Sequence, residues 1–283
     1  MNTLSSRRQS LERERKKMPD MTERSFSEAN SGKVSNRSIR NILAANSLFG
    51  DLPDRLINQM AEIAVLRRYG AGDLVHSKAS EGTFLHGVVE GAVRVSSTSA
   101  AGREAILTYH GPGDWFGHIA LIDGLTRTHD IHAQKESLLV NIDHRDFNML
   151  LKAEPEMYRY IALMLCRLLR LSFALIEDTA LLSLPARLAK QLLTLADSYG
   201  EKRGEGTVIR LRLPQEDLAM LLGTTRQTVN RKLSEWAKLG WISVHYGEIL
   251  ILDPAALRSC LTREGEMRPE IPGLGPGASG VII

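Results

Sequence analysis

The chain has 283 residues, 43% hydrophobic and 24% charged; 36 Lys plus Arg stand against 33 Asp plus Glu, a formal net charge of +3. About two domains are expected at this length, and the composition excludes a wholly disordered chain, a collagen-like chain and a disulfide scaffold. The near-neutral balance does not by itself suggest nucleic acid. Cys166 and Cys260 are the only cysteines, so no disulfide framework or Cys-rich metal cluster can be built, which fits a reducing compartment. The start lacks the apolar core of a signal peptide, and the most apolar stretch, residues 160–166, is closed by Arg167 and Arg170. That is short of the roughly 20 apolar residues of a membrane span. A cytoplasmic protein without a membrane partner is expected.

In chain order, residues 1–38 form a polar, basic tail. The first 40 residues carry ten basic and five acidic side chains, so the remainder of the chain is net negative. Large apolar residues are almost missing there, and disorder is expected. Residues 39–65 show helical spacing at Ile39, Ile42, Leu43, Leu56, Ile57, Met60 and Ile63, interrupted by a loop at 49–53. From 66 to 145, glycines punctuate short apolar runs at 85–89, 92–95, 105–109 and 137–142. Such spacing predicts an antiparallel barrel or sandwich.

Residues 155–182 read as one long helix, with Pro155 in its first turn. Ile161, Leu168, Leu175 and Leu182 fall seven apart, with Leu165 beside them. That heptad spacing predicts a partner helix, hence a homodimer; the alternative is one amphipathic helix packed on its own roll. A further helix is expected at 185–199, a polar loop at 201–206 and a strand at 208–213. The remaining residues, 261–283, are rich in Gly and Pro and expected to be loose.

The sharpest signal spans residues 215–234. A helix-turn-helix needs a small residue where its helices touch, a Gly at the turn and an apolar residue inside the second helix. Ala219, Gly223 and Val229 occupy those places, and Leu218, Leu222 and Leu233 supply a shared core. Thr225 can cap the second helix. Arg226, Gln227, Thr228, Asn230 and Arg231 then project from its reading half, as groups able to bond guanine or adenine edges in the major groove. Residues 241–252 read as a hairpin turning at Gly247, a wing. Across residues 215–246 four basic residues face three acidic ones, so the whole-chain charge conceals a locally basic reading helix.

From these motifs the chain resembles the CRP/FNR family of bacterial transcription regulators, of the catabolite activator type. The resemblance covers about residues 40–258. It rests on the run Gly111-Pro112-Gly113-Asp114-Trp115-Phe116-Gly117, on Asp123-Gly124-Leu125-Thr126-Arg127-Thr128, and on Thr225-Arg226-Gln227-Thr228-Val229-Asn230-Arg231. It implies an α+β fold: a jelly-roll-like β-roll sensor at 39–154, a dimerisation helix at 155–182, and a winged helix-turn-helix at 183–260. It also implies a palindromic DNA site and RNA polymerase as a partner.

In cyclic-nucleotide-binding members a Gly opens a short helix, a Glu takes the ribose, and an Arg with a Ser or Thr holds the phosphate. Gly117, Arg127 and Thr128 match, but His118 stands at the Glu position. Ser172 keeps one of two base-binding hydroxyls on the long helix; Phe173 replaces the other. Three effector readings stay open: cAMP, another small anion at Arg127, or none required. Arg127 paired with Asp123 or Asp130 is the structural alternative. Residues 1–65 lack cysteine, which argues against an iron–sulfur cluster, and the pattern around His118 departs from that of a haem-sensing member. His129 and His132, three apart on a strand, make a poor metal pair. No catalytic motif appears. The reading is a DNA-binding regulator rather than an enzyme; its alternative is a nucleotide-responsive module acting on protein partners through a degenerate winged helix.

Overall fold

A computed structural model describes residues 39–40, 42–43, 52–245 and 247–262. The basic tail, the 49–51 part of the first loop, Tyr246 and the chain from 263 onward lie outside the described residues. Helix α1 (Asp54–Ile63) leads into strand β1 (Ala64–Tyr69), then β2 (Leu74–His76), β3 (Phe84–Glu90), β4 (Val93–Thr98), β5 (Glu104–His110) and β6 (Trp115–Phe116). The short helix α2 (His118–Asp123) precedes β7 (Asp130–Ala133) and β8 (Ser137–Asp143). Helices α3 (His144–Ala153), α4 (Met157–Leu181) and α5 (Leu184–Tyr199) follow. The C-terminal part holds β9 (Gly200–Arg203), β10 (Gly206–Ile209), α6 (Gln215–Leu222), α7 (Arg226–Lys238), β11 (Ile242–His245), β12 (Glu248–Ile251) and α8 (Pro254–Thr262).

Eight strands form two four-stranded sheets, ordered β1-β8-β3-β6 and β2-β7-β4-β5, which face one another as a β-roll. Strand alternation decides which side chains enter it. Along β8, Leu139 points into the roll while Val140 and Ile142 point outward to the helices. Both faces of this sheet are covered, so β3 is buried almost continuously. That is why its pattern reads as an apolar run rather than a clean alternation. Gly87 is needed on β3 because a Cβ there would lie 2.6 Å from the Trp115 ring.

Three apolar clusters result. One fills the roll and includes Val88, Val93, Val95, Phe116 and Leu139. A second joins the outer face of the first sheet to α1, α3 and α4. The third lies on the outer face of β4–β5, where Ala92, Ile106 and Tyr109 pack with Leu192, Leu218, Val229 and Trp236. The roll and the winged helix therefore share a core.

Several boundaries differ from those read in the sequence. Helix α4 starts at Met157, after a turn at Pro155 and Glu156, and ends at Leu181. Its heptad residues divide: Ile161 and Leu168 are buried on their own domain with Met157, Met164 and Leu171, while Leu175 is exposed. The exposed apolar stripe runs instead through Leu165, Leu169, Phe173 and Ile176. Residues 201–206 are not a loop, since β9 and β10 pair as a hairpin that ends at Ile209. The remainder of the expected 208–213 strand peels away towards α6.

Leu192 is fully buried in the shared cluster. Leu192→Ala is expected to cost about 2–5 kcal/mol. Fluorescence of single-tryptophan variants retaining Trp115 (roll) or Trp236 (winged helix) should report one coincident shift in the unfolding midpoint. Two separated transitions would show that the two parts fold independently.

Candidate effector cassette and DNA-reading face

The cassette forms where β6 ends. Gly117 takes φ +86°, and a Cβ there would lie 2.3 Å from Arg127 Nη1. Only glycine allows the guanidinium to tuck beneath it. Arg127 is 3% exposed. Its Nη1 donates to the Gly117 carbonyl at 3.1 Å and its Nη2 to the Phe84 carbonyl at 2.7 Å. Neither expected carboxylate holds it in these contacts. Asp123 accepts from the Leu125 amide and Asp130 from the Lys78 amide.

Histidines surround this charge. His86 Nδ1 lies 3.0 Å from Asn141 Oδ1, and its Nε2 faces Arg127 Nη2 at 3.5 Å. The first contact assigns the proton to Nδ1, leaving Nε2 as the acceptor towards the cation. Burial, then the Arg127 charge, pulls the His86 pKa from 6.5 to about 3. His118, 4% exposed, is lowered to about 4 by the same two causes. His76 is lowered well below its ordinary value, again chiefly by burial. The Nδ1 atoms of His76 and His118 have no hydrogen-bond partner among the described residues.

His76, Gly117, His118, Arg127, Thr128 and His129 line a cavity of 20 Å³. That holds about one water, far below the 300 Å³ or so of a small-ligand site. A nucleotide at Arg127 would need the cassette to widen. Thr128 is exposed, with its Oγ1 2.8 Å from His129 Nδ1. Ser172 is not brought here: its hydroxyl donates to the Leu168 carbonyl of its own helix at 3.0 Å. Sequence reading missed His76, His86 and the neighbouring His110 and Asp114. Burial and the Gly111 amide act on Asp114, and burial prevails, pushing its pKa up to about 7. Among the described residues no group of three or more His, Cys, Asp or Glu can hold a metal ion.

The second candidate site is the face of α7. Gly223 closes α6 at φ +63°, and Thr225 Oγ1 accepts from the Thr228 amide at 3.3 Å. Ala219, Val229 and Leu233 are buried in the core between α6 and α7. Arg226, Gln227, Asn230 and Arg231 are exposed, and Thr228 is half-buried against Thr225 Oγ1 at 2.9 Å. Asn230 Oδ1 accepts from Gln215 Nε2 at 3.1 Å. Asn230 is thus engaged across the turn while its side chain stays exposed on the reading face. The wing, β11 and β12, turns at Gly247, φ +84°.

Two family descriptions match the chain. Residues 66–154 match the cyclic nucleotide-binding domain, and residues 186–260 match the Crp-like helix-turn-helix domain. A CRP-like cAMP-activated global transcriptional regulator of Mycobacterium tuberculosis is 30% identical over 216 residues, 76% of this chain and 96% of that one. The chain belongs to the CRP/FNR family of transcription regulators. A cAMP-activated global transcriptional regulator CRP of Haemophilus influenzae is 26% identical over 66% of this chain and 83% of its own. Among solved structures, a CRP/FNR family regulator of Thermus thermophilus superposes with a TM-score of 0.60 at 26% identity, over 71% of this chain and all of that one. The relatives are named as regulators, not enzymes. No helix among the described residues is long and apolar enough to cross a membrane.

The cassette makes stability depend on pH. His76, His86 and His118 stay neutral in the fold, so below pH 6.5 the unfolded chain binds protons that the folded chain does not. Stability therefore falls as pH drops from 6.5 towards 4, by about 1.4 kcal/mol per unit for each net proton. Asp114 acts oppositely. The folded chain keeps its proton up to about pH 7, so its contribution rises as pH drops from 7 towards 3.8. Three groups outweigh one. Thermal denaturation should show the midpoint falling below pH 6.5; His86→Gln should flatten that fall, and Asp114→Asn should steepen it.

Proposed function

We propose that the chain acts as a homodimer that reads a palindromic DNA site with α7, under control of an anionic effector at Arg127. The observation that carries this is the division of labour on α7. Val229 and Leu233 are buried, while Arg226, Gln227 and Arg231 are exposed and make no ion pair among the described residues. A degenerate helix-turn-helix kept for protein contacts would not need two exposed arginines flanking an exposed Gln on that face.

The exposed stripe of α4 supplies the second copy's docking face. Leu165, Leu169, Phe173 and Ile176 repeat at spacings of three and four, as a two-helix seam requires. A two-fold dimer then spaces its reading helices about one DNA turn apart. Contact with RNA polymerase follows from the family and completes the proposed regulator.

Gln227 stands where the family carries a Glu. Glu accepts from cytosine N4, whereas Gln pairs with adenine N6 and N7. Binding-site selection is expected to return a half-site that departs from the family's TGTGA at that base. Arg231→Ala should cost about 1–3 kcal/mol and relax one base position. Equal loss on all sequences would make Arg231 a phosphate contact only.

For the effector, Arg127 offers an anion two donors now held by backbone carbonyls. The ligand must displace those carbonyls and open a cavity that is closed as folded. The cAMP-activated relatives make cyclic nucleotides the first class to test. Calorimetric titration with cAMP and cGMP should give binding that Arg127→Ala abolishes. Binding unchanged by that substitution would remove Arg127 from the site.

A further inference from the structure

Strand β5 presents two different faces to two different parts of the protein. On the inner face, His110 is fully buried and stacks on Phe116, with centroids 5.5 Å apart and planes within 1°. Phe116 stacks in turn on His86 at 5.0 Å. His86 Nε2 faces Arg127. A row of side chains in contact thus runs from the cassette to β5. On the outer face, the preceding residue, Tyr109, donates its hydroxyl to Asp217 Oδ2 of α6 at 3.0 Å. Asp217 is 8% exposed, and the Tyr109 ring lies in the apolar cluster that holds α5, α6 and α7.

The same seam continues on both sides of Tyr109. A Cβ on Gly111 would lie 2.8 Å from the Tyr199 ring at the end of α5. Gln134 Nε2 donates to the Arg212 carbonyl, just before α6, at 3.2 Å. Adjacent residues of a strand point to opposite faces, so a tilt imposed on His110 must also move Tyr109. An opening of the cassette reaches the two middle members of the inner row, His86 and Phe116. Arg127 is held by the carbonyl of Phe84, two residues before His86, and by that of Gly117, next to Phe116.

We infer that Tyr109 is a positioning residue for the DNA-reading head. Its bond to Asp217 fixes α6, and hence α7, in the placement that accompanies the closed cassette, and the row Arg127–His86–Phe116–His110 transmits opening to it. This route lies within one protomer and is separate from the α4 stripe. It rests on the DNA-reading function proposed above.

The test uses the full chain, without added nucleotide, and fluorescence anisotropy on a palindromic duplex. Tyr109→Phe removes only the hydroxyl and should tighten binding by about 5-fold or more, the lower end of typical coupling. Asp217→Leu should do the same, and the double variant should add nothing further. Asp217→Asn keeps a carbonyl acceptor for Tyr109 and should stay near wild type. Unchanged or weakened binding by Tyr109→Phe overturns the proposal.

Hydrogen exchange supplies a readout that does not need DNA. Phe116→Leu should speed exchange in α6 while leaving α3 unchanged; an unaffected α6, or equal acceleration in α3, overturns the inner row. A wild-type chain that ignores every duplex would defeat the DNA-reading function. Hydrogen exchange in Tyr109→Phe would then decide the coupling, expected as faster exchange in α6 together with residues 115–118; acceleration in α6 alone would overturn it.

Discussion

A guanidinium brings several N–H donors and a permanent charge into any place where it is buried, and the organisation of the sensor half follows from burying one. Unmet, such a charge would cost several kcal/mol. Arg127 avoids that through the carbonyls of Gly117 and Phe84 and the acceptor nitrogen of His86. Each of these has a local consequence. Position 117 must be glycine. His86 must carry its proton on the Asn141 side. The neighbouring imidazoles must stay neutral, because a second cation beside a buried guanidinium would be repelled. The small cavity sits beside a cation whose Nη atoms are held by the protein's own backbone.

The shared apolar cluster makes this local arrangement matter elsewhere. Had β4 and β5 faced solvent on their outer side, the roll could change shape without disturbing the winged helix. Instead Ile106 and Tyr109 sit in one core with Leu188, Leu218 and Trp236. Packed interiors transmit displacement because they contain few voids to absorb it. The polar contacts along this seam then set its register. Tyr109 and Asp217 form one fixed point and Gln134 with the Arg212 carbonyl another.

What the sequence showed depended on how local each feature was. The turn of the helix-turn-helix was legible because its determinants lie within about twenty residues: Gly223 for a left-handed turn, Thr225 for a cap, and Ala219 and Val229 for close packing. The capping bond and the burial of those two residues are found in the structure. Strands β2 and β6 were not legible, being only three and two residues long, and β1 was missed because it follows α1 directly, where the helical spacing masks its start. The histidine cluster was invisible for a different reason. His76, His86, His110 and His118 come from four separate segments, and only the closure of the roll brings them around Phe116 and Arg127. Asn230 shows the same limit at small scale, since its engagement by Gln215 crosses from one helix to the next.

Helix α4 shows why a correct periodicity can still point to the wrong neighbour. Its sequence carries two apolar stripes about one residue apart, and a helix apolar over so wide an arc needs cover on more than one side. The stripe through Met157, Ile161, Met164, Leu168 and Leu171 is covered by its own domain. Leu171 is the last residue of α4 so covered, yet the helix continues for ten further residues. Over that extension Phe173, Leu175, Ile176 and Leu181 stay exposed, and Lys190 of α5 pairs with Asp178 on the polar side. A contiguous apolar face of this kind marks an interaction site. A second α4 is the partner the pattern fits, because a two-fold contact asks each copy to present the same self-complementary stripe. In that arrangement the intramolecular stripe ties α4 to the roll and the exposed stripe ties the two rolls together. The helix that anchors the sensor is then the one that would set the distance between the reading heads.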